Sequence, residues 1–307
     1  VGDTLPVMPF RFGCLLAALS LLVTSAPCAA EFPEYAHPVM TWVPPYGVAK
    51  AKARLKESSG GVGMQDALTH LALQFWAPTA SGGVERVRKY GELSDATIIE
   101  LREWGHARGI RVLLCVFNGV EKWDWPLARA AFADHAVAFA EALIAEAKRL
   151  DLDGLDVDLE GNGSFDSDKD AFVRFVRELS TRAHAADMHV TVDSFADIWN
   201  APSKSWWKDL FPHVDALTSM GYEETGAKGA GWRAYSAQKA AAGENAAKFL
   251  LGVPASKNEW QHSKALEQLS AVRDTGVGAA LWDAQLEAPA WRTRDVWTTL
   301  REIRGPR

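Results

Sequence analysis

From Pro38 onward, short apolar runs alternate with longer stretches whose apolar residues recur every three or four positions. Eight runs have strand length: PVMTWV (38–43), LTHLALQFW (68–76), IRVLLCVF (110–117), LDGLDVDLE (152–160), MHVTVDSF (188–195), VDALTSMGY (214–222), KFLLGVP (248–254) and VGAALWD (277–283). Helical spacing lies between most of them. Ser94 is placed to cap a helix to His106 that carries Ile98, Leu101 and Trp104 on one face. Over 127–150 Phe132, Phe139 and Leu143 form a stripe beside Ala136, Ala140, Ile144 and Ala147, and Asp166 or Ser167 is placed to cap a helix carrying Phe172, Phe175, Val176 and Leu179. Strands joined through helices run parallel, and parallel strands covered on both faces read as near-continuous apolar runs.

Eight such units predict an α/β fold, a single (β/α)8 TIM barrel of about 250 residues. An open doubly wound sheet would call for a Gly-rich phosphate loop after its first strand, and VPPYG at that turn lacks one. Between the seventh and eighth runs, 255–276 has room for little more than one helix, so no large insertion domain is expected. That favours a shallow, open cleft.

The fourth run breaks the apolar rule. Side chains on a strand alternate faces, so Asp156, Asp158 and Glu160 share one face while Leu155, Val157 and Leu159 share the other. In a barrel the leucine–valine face packs on the helices and the acids point inward, about 6.8 Å apart along the strand. Glu160, nearest the C-terminal end, reaches the mouth where barrel enzymes do their chemistry. Asp153 has the other parity and is expected to tie down the turn before the strand. Crowding and burial raise at least one carboxyl pKa, keeping a proton available near neutral pH, as a general acid for a sugar leaving group requires. A solvated edge strand is a poor alternative, given the apolar neighbours. A calcium loop fails because Ser167 stands where the bidentate Glu belongs.

DGLDVDLE (153–160) resembles the signature of glycoside hydrolase family 18, the chitinases and endo-β-N-acetylglucosaminidases. The resemblance implies that Glu160 is the proton donor, that Asp158 orients the substrate's 2-acetamido group, and that Asp156 supports Asp158. It also implies a retaining, substrate-assisted reaction in which the acetamido oxygen, not a protein carboxylate, attacks the anomeric carbon. SMGYEE (219–224) resembles the family's Met-x-Tyr-Asp element, which gives Tyr222 the acetamido oxygen and makes Met220 and Glu223 substrate neighbours, with Glu standing where the family has Asp. GVGAALWD (276–283) ends as in the family, making Trp282 the floor under the sugar. Where many chitinases carry Ser-x-Gly-Gly this chain has CVFNG (115–119), and Asn118 is a candidate to hydrogen-bond a sugar.

Thirteen tryptophans invite a search for sugar platforms, since flat apolar sugar faces stack on aromatic rings. Trp42, Trp76, Trp199 and Trp282 fall near strand ends, and Trp42 and Trp76 join Trp282 as candidates; Trp123, Trp125, Trp206 and Trp207 lie in loops after strands. The eight histidines show no metal-type spacing, and neither a metal nor a cofactor is expected. A formal net charge of -6 with both signs dispersed excludes nucleic acid as a natural partner. MPFRFGCLLAALSLLVTSAPCAA (8–30) has the basic, apolar and small-residue parts of a secretory signal. It predicts cleavage after Ala30, a mature domain over 31–307 with no integral membrane segment, and a secreted or periplasmic location. Cys14 and Cys28 leave with that segment, and Cys115, in an apolar run, is expected to be an inert core thiol. The expected partner of the monomeric enzyme is an N-acetylglucosamine-containing polysaccharide or oligosaccharide. The alternatives are an endo-β-N-acetylglucosaminidase acting on N-glycans or on bacterial wall or capsule polymers, and a non-catalytic glycan-binding barrel.

Overall fold

The computed structural model describes residues 1–2, 32–91, 93–196, 201–222, 232–255 and 265–306. The chain divides into two compact units, Val1–Ala30 and Glu31–Arg307, and the fold described below belongs to the second. All eight expected strands form: β1 (Val39–Val43), β2 (His70–Pro78), β3 (Arg111–Phe117), β4 (Gly154–Asp158), β5 (His189–Ser194), β6 (Ala216–Ser219), β7 (Phe249–Pro254) and β8 (Gly278–Trp282). Each pairs in parallel with the next, and β1 pairs with both β2 and β8, which closes the sheet into a barrel. A helix follows every strand: α1 (Val48–Leu55), α2 (Asp95–His106), α3 (Ala136–Arg149), α4 (Lys169–His184), α5 (Trp207–Leu210), α6 (Trp232–Ala242), α7 (Ala265–Thr275) and α8 (Arg294–Arg304). The fold is therefore a single (β/α)8 barrel without a large insertion domain.

Local chemistry sets the helix ends. Ser94 caps α2 as expected, its Oγ accepting the Thr97 N–H at 3.2 Å. The stretch before α3 is not one continuous α-helix: a short helix, Trp125–Arg129, passes through a π-helical turn, Ala130–Asp134, before α3 starts. Neither Asp166 nor Ser167 caps α4, contrary to expectation. Asp166–Asp168 form a 3-10 turn instead, and its carboxylates are taken by indoles: Trp206 Nε1 donates to Asp166 at 3.0 Å and Trp125 Nε1 to Asp168 at 2.9 Å.

The strand parity read from the sequence divides the core in two. Leu71, Leu73, Val112, Leu114, Leu155, Val157, Val190, Val192, Leu251 and Val253 face outward into the layer beneath the helices. Inside, a smaller apolar cluster of Met40, Trp42, Ala72, Leu113, Cys115, Ala216, Leu250 and Ala280 fills the barrel below Trp282. This packed plug leaves the polar inward positions of β4 to β6 at the upper end.

Candidate active site

Asp156 and Asp158 are the inward residues of β4, both fully buried. Asp156 is saturated with donors: Trp42 Nε1 reaches Oδ2 at 2.9 Å and Thr191 Oγ1 reaches Oδ1 at 2.5 Å. Asp158 accepts from Gln74 Nε2 at 2.7 Å through Oδ2. β4 ends at Asp158, so a separate device must hold Glu160 in line. Asn118 is that device. Its Oδ1 accepts the Glu160 N–H at 2.8 Å and its Nδ2 donates to the Glu160 carbonyl at 2.7 Å. A side-chain amide thus extends the β3–β4 ladder by one peptide after the strands have parted. Asn118 is buried, with one bond at each end of its amide made to Glu160.

The electrostatics follow from burial and from like charges. Desolvation, then Asp156, pushes Asp158 up to about 7. Glu160 is raised well above the usual carboxyl range by desolvation, then by the charge of Asp158 and a hydrogen bond with it. Asp156 is raised by desolvation, with its donors opposing. Burial and the neighbouring charge therefore bias the Glu160 carboxyl toward holding its proton. Cys115, beside Asp156, is held firmly as the thiol by burial and the surrounding acids, in keeping with the inert role expected of it.

Tyr222 follows β6 and joins this group: its hydroxyl lies in the fields of Asp193, Asp158, Glu160 and Asp283. Gly252 on β7 makes room for the ring, because a Cβ there would stand 2.7 Å from Tyr222 Cε1. Met220 is buried at the top of the same strand line. Trp282 is half-buried, its ring 5.7 Å from that of Trp42. Trp42, only 1% exposed, packs its ring against Trp282 and donates to Asp156. Asp283, next to Trp282, accepts from the Gln285 N–H at 2.8 Å, and burial pushes it up to about 6.

One sequence candidate falls elsewhere. Trp76 is not at the cleft. A bulge between Gln74 and Trp76 shifts the register of β2, so Trp76 turns outward into the core and its Nε1 donates to Glu146 of α3 at 3.1 Å. Glu223 and Trp199 lie outside the described residues. Among the loop tryptophans, Trp125, Trp206 and Trp207 are core residues and Trp123 is exposed. The exposed aromatics among the described residues, Tyr46, Tyr90 and Trp123, all sit in the loops after β1, β2 and β3. Tyr46 and Tyr90 pack edge to face at 5.5 Å.

Sequence reasoning missed Asp193, Thr191 and Gln74. HVTVDS alternates His189, Thr191 and Asp193 inward with Val190 and Val192 outward, the same parity that exposes the acids of β4. Asp193 is 1% exposed and is raised well above the carboxyl range by desolvation, then by Asp156 and Asp158. Among the described residues no group of three or more His, Cys, Asp or Glu could hold a metal ion.

Comparison with known proteins follows the same lines. The chain superposes on a chitinase from Chromobacterium violaceum with a TM-score of 0.67 at 19% identity, covering 89% of this chain and 100% of that one. It matches the spore cortex-lytic enzyme SleL of Bacillus megaterium with a TM-score of 0.68 at 11% identity, over 89% of this chain and 75% of that one. A chitinase from Bacteroides thetaiotaomicron gives 0.64 at 15% identity, over 88% and 95%. At these identities the likeness establishes the fold. No curated protein matches this chain in sequence. Residues 51–299 match the model of glycosyl hydrolases family 18, which spans most of the barrel and both ends of the acidic site. The chain belongs to glycosyl hydrolases family 18, and its class of activity is that of a glycosidase.

Proposed function

We propose that this protein is a retaining glycosidase that cleaves β-1,4 linkages at N-acetylglucosamine with help from the substrate's own acetamido group. The observation that carries the reading is the inward line Asp156–Asp158–Glu160, ending in a carboxyl biased toward its protonated form whose field reaches Tyr222, with Asp156 held by the Trp42 of the Trp42–Trp282 pair. Glu160 gives its proton to the glycosidic oxygen as the C–O bond breaks, and the leaving sugar departs as an alcohol. The acetamido carbonyl oxygen forms a bond to the anomeric carbon, giving an oxazolinium ion. Asp158 takes the amide N–H and Tyr222 donates to the carbonyl oxygen, which aligns that attack. Glu160, now a carboxylate, removes a proton from water as the water opens the ring on the same face, so configuration is retained. Asp156 remains the fixed, donor-saturated anchor on which Asp158 is set.

Glu160→Gln tests this reading. Hydrolysis of labelled chito-oligosaccharides should fall by about 10²- to 10⁴-fold, with the oligosaccharide still bound; near-full turnover would reject it. A bacterial wall polymer is a second substrate, supported by likeness to the Bacillus cortex-lytic enzyme, and product masses from chitin oligomers, peptidoglycan and N-glycan peptides separate the candidates. Export by way of the 8–30 segment belongs to the same proposal. Residues 3–31 lie outside the described structure, and no described helix is long and apolar enough to cross a membrane.

A further inference from the structure

The chain has five asparagines, and two of them, Asn118 and Asn162, precede a glycine. Both flank Glu160. Asn118 bonds to its backbone from the end of β3, and Asn162 follows it by two positions in the chain. An Asn-Gly dipeptide is open to one intramolecular reaction, in which the glycine nitrogen attacks the side-chain amide carbon. Glycine favours it because no Cβ shields that nitrogen and the backbone can turn to bring the two atoms together.

The fold treats the two dipeptides in opposite ways. Asn118 is 2% exposed, with its Oδ1 accepting the Glu160 N–H at 2.8 Å and its Nδ2 donating to the Glu160 carbonyl at 2.7 Å. Its side chain cannot swing back onto its own backbone without breaking both bonds. Gly119 is shut in as well, since a Cβ there would stand 2.7 Å from the Trp123 ring. Asn162, Gly163 and Ser164, in contrast, are all exposed. Gly163 has a φ of +135°, which L side chains rarely adopt, and a Cβ there would meet nothing closer than Phe165 at 3.8 Å. The Asn162–Gly163 peptide is therefore uncrowded and open to water.

We propose that Asn162 is a site of spontaneous deamidation, left open by the fold beside Glu160 while Asn118 is protected. The Gly163 nitrogen loses its proton and bonds to Asn162 Cγ, and the Cγ–Nδ2 bond breaks to release ammonia. Water then opens the resulting succinimide at either carbonyl, leaving an aspartate or an isoaspartate with no change of oxidation state. Both products carry a new carboxylate. Two residues span at most about 7 Å of backbone, inside the Debye length of about 8 Å, so this charge acts on Glu160. It adds to the charge of Asp158 and pushes the Glu160 carboxyl further up. The isoaspartate also lengthens the main chain by a methylene, next to a buried Gly161 wedged against Trp125 and Phe165, whose rings stack at 5.0 Å.

Ageing the protein at mildly alkaline pH and mapping its peptides by mass spectrometry provides the test. Asn162 should convert first, with Asn118 slower by about tenfold or more because two buried hydrogen bonds must open. Asn162→Gln, whose side chain is a methylene too long for the succinimide ring, should abolish the fast conversion. An intact Asn162, or equal rates at the two asparagines, would overturn the inference. In hydrolysis assays the aged protein and fresh Asn162→Asp should both have the alkaline limb of kcat/KM displaced to higher pH, and aged Asn162→Gln should not. An unmoved limb in Asn162→Asp would break the link to Glu160. That arm alone rests on the hydrolase reading. If the wild type cleaves nothing, that reading has failed, and the peptide map by itself decides the modification.

Discussion

The barrel interior buries one titratable cluster at each end, and the two differ in one informative way. At the C-terminal end four carboxyls crowd together, and all are pushed up toward their neutral forms. At the N-terminal end His70 of β2 faces His189 of β5, Nε2 to Nδ1 at 3.4 Å. Burial drives His70 well below the imidazole range, assisted by His189 and Arg111, and lowers His189 as well. Both clusters are therefore shifted toward their uncharged forms. The lower one is closed: Thr69 Oγ1 lies 2.7 Å from His70 Nδ1, and the strand starts around it are tied by carboxylates. Asp153 accepts the Val112 N–H at 2.7 Å and pairs with His106; Asp215 accepts the Val190 N–H at 2.8 Å and pairs with His184. The upper one binds acid to acid, Asp158 with Glu160 and Asp193 with Thr218 and Asp156. Displaced pKa values alone do not separate an active site from a structural plug. Like charges massed at the C-terminal end of the strands, with no cation to balance them, do.

Exchanging one residue at each end should separate the two roles most sharply. Glu160→Gln is expected to remove about 10²-fold or more of the activity, with a melting temperature equal to or above that of the wild type, because a buried acid becomes a neutral amide. His70→Ala should do the reverse. It opens a cavity and unpairs His189 and Thr69, costing about 2–4 kcal/mol of stability, while folded protein keeps kcat within a few-fold. Denaturant melts and steady-state rates on both variants check the pair. Loss of activity in properly folded His70→Ala would dissolve the distinction.

Stability against pH should show the two ends pulling in opposite directions. Asp158 titrates near 3.8 when unfolded and at about 7 when folded, so between those values the native state holds the extra proton. Its contribution therefore falls as pH rises through that window. His70 and His189 are lowered from 6.5, so the unfolded chain holds the extra protons, and their contribution falls as pH drops below 6.5. Asp158→Asn should flatten the loss on the alkaline side and leave the acid side unchanged. Thermal melts from pH 4 to 8 measure this, and identical curves for Asp158→Asn and wild type would refute it.

Asn118→Ala comes next in size. It leaves the Glu160 N–H and carbonyl buried without partners, an expected loss of about 1–3 kcal/mol, and it frees Glu160 from its line. A fall in kcat larger than the rise in KM would identify Asn118 as positioning the acid. A rise in KM alone would return it to the sugar-binding role that its place in the sequence first suggested.

How much of this was legible in the chain depended on periodicity. Parity on LDGLDVDLE was enough to turn Asp156, Asp158 and Glu160 inward, and the even spacing of apolar runs was enough for eight strands. The same parity on HVTVDS would have found Asp193, but an acid beside a serine in a strand end stands out less than three acids in a row. Asn118 was noticed for its position, and its task was hidden because it depends on two strands diverging at a particular residue. Asp166 and Ser167 looked like caps because local sequence cannot reveal that Trp125 and Trp206, distant in the chain, take the neighbouring carboxylates. Period-two reasoning fails wherever a strand gains a residue, and β2 does so at Gln74–Trp76.

That bulge supports the smallest of the expected effects on activity and a direct check on which tryptophans meet sugar. Trp76→Phe keeps an aromatic ring in the outer core, removes the indole N–H that reaches Glu146 at 3.1 Å and leaves a small cavity. Glu146 retains Arg86 at 3.1 Å and Arg149 at 2.7 Å, so its carboxylate is not left bare. The stability loss should be about 1–3 kcal/mol, and KM for chito-oligosaccharides should not move. Trp282→Phe, made in parallel, shrinks the half-buried ring above Trp42 and should raise KM several-fold without comparable destabilisation. Equal KM changes in the two variants would mean that β2 carries its indole to the cleft after all, and the bulge would no longer account for the difference between them.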